Sequence, residues 1–141
     1  MCDMGVDKLE MQELMVEILL RMQKKYKGLL EIERVTKELE ELLALGDKES
    51  VQLLLTMREE EIELTHAEDN SLRELLNVLD YDVRTYVTTI MNGEKESFPS
   101  GSLEEKIYNL GSQTRNLCQK TCEIDRVLSV KIAGKDSYYN S

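Results

Sequence analysis

The stretch Glu31 to Ile62, EIERVTKELEELLALGDKESVQLLLTMREEEI, constrains this chain more than any other. On its first arm Ile32, Thr36, Leu39 and Leu43 recur at the spacing of one helix face, and on the second Val51, Leu54, Leu55 and Ile62 do the same. Between the arms stands Gly46–Asp47. Glycine tolerates the positive φ that commonly follows a helix end, and an aspartate carboxylate accepts the orphan N–H groups that open the next helix. The spacing therefore predicts two helices folded back against each other, with their apolar stripes in contact.

The pattern extends in both directions. Asp7 with Glu10 makes a capping box, so the first helix is predicted over about residues 8–45, with Met15, Leu19, Met22, Tyr26 and Leu29 continuing its stripe. Gly28 falls inside this helix at a cost of about 1 kcal/mol relative to Ala. It is read as a tolerated glycine, the alternative being a close approach of another helix. The second helix is predicted over about 48–92. Its stripe fades in the polar run ELTHAEDNS, and Ser71 with Glu74 forms another capping box, so a break near Ala67–Asn70 would divide it. Leu72, Leu76, Leu79, Val83, Tyr86 and Ile90 then resume the spacing.

Gly93–Ser102 contains the only proline and reads as a loop. Ser102 with Glu105 opens the last helix, predicted over about 102–133, where Leu103, Ile107, Leu110, Thr114, Leu117, Thr121, Ile124 and Leu128 alternate four and three apart. Gly134 is expected to end it and to leave a short mobile tail, residues 134–141. No strand pattern is visible. The expected fold is a single all-α domain over 1–141, an antiparallel bundle of three long helices, or four if the second divides.

Composition excludes several functions. The net charge of −10 argues against nucleic acid and against anionic membrane surfaces, both of which require basic patches. No apolar run approaches the roughly 20 residues of a membrane span. The start MCDMGVDKLE lacks the features of a secretory signal, and three cysteines make no disulfide framework, so a cytoplasmic chain with reduced thiols is expected. Glu63 and His66 have a metal-ligand spacing, yet His66 is the only histidine, and a di-iron site needs two such pairs. Cys118 and Cys122 share a helix face but fall short of the four ligands of a structural zinc site. No phosphate-binding glycine loop is present. The expectation is a protein that is not an enzyme and binds no metal or cofactor.

The whole chain resembles the bacterial flagellar export chaperones of the FliT-like and FlgN-like group. The resemblance rests on Tyr26-Lys-Gly-Leu-Leu-Glu-Ile, Thr36-Lys-Glu-Leu-Glu, Gly46-Asp47 and Leu53-Leu-Leu-Thr-Met-Arg58-Glu-Glu-Glu. Ile124-Asp-Arg-Val-Leu and Ser137-Tyr-Tyr add to it. Asn70 to Gly101 matches less well. The resemblance implies a cytoplasmic helical chaperone. Such proteins bind helical segments of filament cap or hook–filament junction subunits, prevent their premature assembly and hand them to the export machinery. The alternative is a structural coiled-coil or oligomerisation module without a client.

Client binding is expected on the last helix through Leu110, Leu117, Ile124 and Leu128, because Thr114 and Thr121 interrupt that stripe and make it less committed to a permanent core. Packing within the chain is the competing use of the same residues. Tyr138 and Tyr139 are expected to contact the client or the export machinery, or else to fold back on the bundle. A homodimer is expected because Met11, Leu14 and Ile18 add a second apolar face to the first helix.

Overall fold

A computed structural model describes the backbone of residues 8–95 and 97–140 and the side chains of residues 9–95 and 97–132. It contains four helices: α1 (Lys8–Leu45), α2 (Lys48–Asn77), α3 (Tyr81–Met91) and α4 (Leu103–Asn140). No strand occurs among the described residues, so the all-α expectation holds.

The α1–α2 turn forms as its residues dictate. Gly46 has φ +75°, and Asp47 accepts from Ser50 through its backbone N–H at 3.1 Å and its hydroxyl at 2.8 Å. α4 opens on Ser102, whose hydroxyl accepts from the Glu105 N–H at 3.2 Å, while the Glu105 carboxylate accepts from the Gly101 N–H at 3.1 Å. The α3–α4 loop is pinned through its aromatic residue. Phe98 packs on Tyr108 with ring centroids 5.5 Å apart, and Lys95 lies over the Tyr86 ring.

α1 is the central element, packed by α2 on one side and α4 on the other. α2 runs antiparallel to it. α4 runs parallel to it, because Lys120 reaches Glu33 and Lys131 reaches Glu40 in ascending order. Two apolar clusters form along this axis. At the N-terminal end of α1, the upper half, Met15, Ile18, Met22, Leu72, Val83, Val87, Ile90 and Ile107 draw on all four helices. In the lower half Val35, Leu39, Leu43, Val51, Leu54 and Leu128 draw on three. Ile18, Leu39, Ile90 and Ile107 are fully buried, and burying such a side chain contributes about 1.5–3 kcal/mol relative to leaving it exposed.

Several expectations require correction. The second helix divides, but at Val78–Asp80 rather than at Ala67–Asn70; α2 is continuous through the polar run and α3 starts after Asp80. The run is polar because it pairs with α1. Asp69 binds Lys25 at 2.8 Å, and Ser71 accepts from Arg21 at 2.7 Å through its hydroxyl and 2.9 Å through its carbonyl. Gly28 is not merely tolerated, since a Cβ there would overlap the Thr65 hydroxyl of α2. The backbone of α4 continues through Gly134 to Asn140, so Gly134 does not end the helix. A glycine inside a helix costs only about 1 kcal/mol relative to Ala, so it does not by itself stop one. The side chains of Tyr138 and Tyr139 lie outside the described residues. Lastly, Ile18 is fully buried and Met11 and Leu14 pack half-buried on the upper cluster, so these residues provide no second apolar face.

Candidate interaction site

Between the two apolar clusters α1, α2 and α4 meet in a polar waist. Gly28 brings α2 close to α1, which buries Thr65 beneath it. About two helical turns away, Arg58 of α2 donates from Nε to the Thr36 hydroxyl at 2.9 Å and from Nη2 to Asp125 Oδ1 of α4 at 2.7 Å. Thr36 itself donates to the Ile32 carbonyl at 2.6 Å, so Arg58 ties the buried face of α1 to α4 through one guanidinium. A fork of fixed N–H donors suits this role better than an ammonium would.

The remaining waist groups are less well satisfied. Thr65 and Thr121 are each 7% exposed, and their hydroxyl oxygens have no hydrogen-bond partner. Glu33 Oε2 is also without a hydrogen bond, although Lys120 stands 3.8 Å from it and Lys37 stands 3.6 Å from Oε1. An unpaired buried polar atom costs about 1–3 kcal/mol, so this layer holds the helices together less firmly than the clusters above and below it. Burial works to raise the Asp69 carboxyl, but hydrogen bonds from Lys25 and Arg73 and their charges together hold it below its ordinary value. Burial pushes the half-buried Cys118 thiol up, against the pull of Lys25 and with that of Cys122 and Asp69.

The flank of α4 beside this waist is shared with α3. Met91 of α3 lies against Gly111, and its carbonyl accepts from Arg115. Gly111, Arg115, Cys118, Cys122, Asp125 and Ser129 alternate four and three apart and form one stripe. α3 runs along α4 from the Tyr86–Glu104 hydrogen bond, 3.3 Å, to Gly111, and ends there. Below Gly111 the same stripe continues beside α2, which reaches it through the Arg58–Asp125 pair. On α2, Leu55 and Ile62 stand on the flank that Arg58 turns toward α4; Leu55 is half-buried and Ile62 is 38% exposed.

The residues expected to bind a client divide by position. Leu117 is 7% exposed and Leu128 3%, both inside the bundle, with Leu128 in the lower cluster. Leu110 is half-buried against the upper cluster and Ile124 is half-buried on the flank of α4 away from Asp125. The four therefore do not form one open face in the isolated chain. Heptad spacing marks a buried seam and an open one alike, so the α2–α4 flank could not be picked out from the stripe alone. Its signal was the small and polar stripe beside the apolar one, starting at Gly111.

Glu63 and His66 are both exposed on α2, and no three His, Cys, Asp or Glu side chains gather to hold a metal ion among the described residues. No helix among them is long and apolar enough to cross a membrane. Comparison with protein-family models, with curated proteins and with solved structures finds no match to this chain.

Proposed function

We propose that this chain is a cytoplasmic, non-enzymatic export chaperone of the FliT-like and FlgN-like kind. Its client is an amphipathic helix of a filament cap or hook–filament junction subunit, which it keeps from assembling and passes to the export machinery. The observation that carries the reading is the inequality of the two halves of the bundle. In the upper half α3 lies along α4 as a fourth helix, and it stops at Gly111. In the lower half Asp125 of the Cys118–Cys122 stripe meets Arg58 of α2, which shares its helix face with Leu55 and Ile62, and no described helix continues α3. A client helix laid there completes a four-helix bundle along its whole length. Binding through Leu117 or Leu128 would instead require α4 to leave α1, since both are buried.

Cys122 is exposed and provides a native reporter. A helical segment of a flagellar cap or junction subunit should slow alkylation of Cys122, and Ile62→Asp should weaken that segment's binding about tenfold with helicity unchanged. Binding that leaves Cys122 equally reactive and is indifferent to Ile62→Asp, but is lost in Ile124→Asp, would move the site to the opposite flank of α4. No binding to any axial subunit would favour the structural module without a client.

A further inference from the structure

The face of α1 turned away from α2 and α4 carries a second pattern. Leu9, Glu13, Val16, Leu20, Gln23, Lys27 and Leu30 alternate four and three apart, and all seven are exposed. Leu9 is 64% exposed, Val16 42%, Leu20 48% and Leu30 41%, which is unusual for four apolar residues on one stripe. At roughly 1.5 Å per residue the stripe spans about 30 Å, six turns of helix. The core residues Met15, Ile18, Met22 and Ile32 point the opposite way and are buried. This stripe is therefore not a misplaced part of the core.

Its order is self-complementary when reversed. Set against a second copy running antiparallel, with Leu20 on the two-fold axis, Leu9 meets Leu30, Glu13 meets Lys27 and Val16 meets Gln23. Each pairing occurs twice, as an isologous interface demands. Glu17 beside the seam, which Arg21 of its own chain already holds at 2.9 Å, comes level with Lys24 of the other copy and adds little to the selection. Among the described residues Glu13, Lys24 and Lys27 form no ion pair within their own chain, whereas Arg34 of the same helix is held by Glu31 and Glu38. The parallel alternative brings Glu13 onto Glu13 and Lys27 onto Lys27, which repel. Charge order thus selects the partner and its direction, where apolar area alone would select neither.

We infer that the outer face of α1 docks a second copy of this chain in antiparallel register, through Leu9, Glu13, Val16, Leu20, Lys27 and Leu30. The occupant is another copy because the antiparallel register sets Glu13 against Lys27 twice and puts Leu9 on Leu30 and Leu20 on Leu20, with Val16 beside Gln23 the one mixed level. The interface leaves the α2–α4 flank uncovered, so it does not depend on the proposed function.

Sedimentation equilibrium of the full chain, taken up to roughly 1 mM to include weak dimers, tests this. The wild type should be a dimer, and Leu20→Glu should make it monomeric with helicity unchanged. Glu13→Lys and Lys27→Glu should each weaken dimerisation about tenfold, since each turns two attractive pairs into two repulsive ones. Mixing those two single variants should restore it, because in the mixed dimer both pairs become attractive again. A monomer at every concentration overturns the proposal, as does a dimer that Leu20→Glu leaves intact. A dimer weakened by both charge variants but not rescued on mixing overturns the antiparallel register.

Discussion

The two halves of the bundle are built from similar residues and differ in how many helices share them. In the upper half α1, α2, α3 and α4 each place at least one fully or almost fully buried side chain into one cluster, including Ile18, Leu72, Ile90 and Ile107. In the lower half α1 supplies Val35, Leu39 and Leu43, α2 supplies Val51 and Leu54, and α4 supplies only Leu128 among the buried residues. α4 is thus committed to the bundle at its start and lightly held beyond the waist, where Thr121 leaves its hydroxyl unpaired. Regions with few buried apolar contacts open at lower free energy than the global fold. The difference teaches that length of helix and strength of attachment are separate properties of α4.

The largest expected effect breaks the upper half. Ile90→Ala removes a fully buried side chain from the four-helix cluster and should cost about 2–5 kcal/mol, lowering the whole melt cooperatively. Leu128→Ala should cost about 2 kcal/mol, the low end of the same range, and act locally. Native-state hydrogen exchange would read it as faster exchange between Thr121 and Ile132 with the upper half still protected. Equal loss of protection in both halves after Leu128→Ala would mean that the bundle opens as one unit and the contrast fails.

The waist offers a sharper cut between the halves. Helix propensity alone makes Gly28→Ala stabilising by about 1 kcal/mol. The new Cβ would overlap the Thr65 hydroxyl, and overpacking a closed contact costs about 1–3 kcal/mol. The steric term wins if α1 and α2 cannot separate, so Gly28→Ala should lower the melting temperature. Thr65→Ala removes the overlapping oxygen, and the double variant should recover most of the loss. A Gly28→Ala protein more stable than wild type would show that the helices part easily at the waist.

The legible and illegible parts of this chain differ in their physical range. The turn at Gly46–Asp47, the loop over Gly93–Ser102 and the start of α4 rest on backbone chemistry within a few residues, and each lies where its glycine, proline or cap places it. Polarity in ELTHAEDNS imitates loss of packing, so it points to a corner about ten residues before the one that forms. Those residues are polar because Lys25, Arg21 and Gly28 stand opposite them, some forty to fifty residues earlier in the chain. Leu79 to Val83 keeps helical spacing across the corner, so the stripe concealed the break at Val78–Asp80. Leu117 and Leu128 were rightly placed on one stripe, but spacing does not tell whether a stripe faces its own chain or another. The same limit applies to α1, where Ile18 is buried within the chain while Leu9, Val16 and Leu20, at equivalent spacing, stay open.

The smallest expected effect concerns pH at the waist. Lys25 and Arg73 hold the Asp69 carboxyl below its ordinary value despite burial, whose opposing influence is the largest single one. A carboxyl with a lowered value in the folded state binds a proton more readily when unfolded. Its contribution is therefore complete above its ordinary value of about 3.8 and disappears as pH falls through the lower, folded value. Asp69→Asn keeps the size of the side chain and removes the charge. Wild type should melt above Asp69→Asn by a constant margin between neutral pH and pH 5, and the margin should close on acidification below about pH 4. The exposed pair of Arg34 with Glu31, more open to screening, should add far less to any acid transition than its geometry suggests. A margin that stays constant down to the acid transition would mean that Asp69 acts through hydrogen bonding and shape alone. The waist would then owe nothing to the Asp69 charge, and its ionic link between α2 and α4 would rest on Arg58 with Asp125.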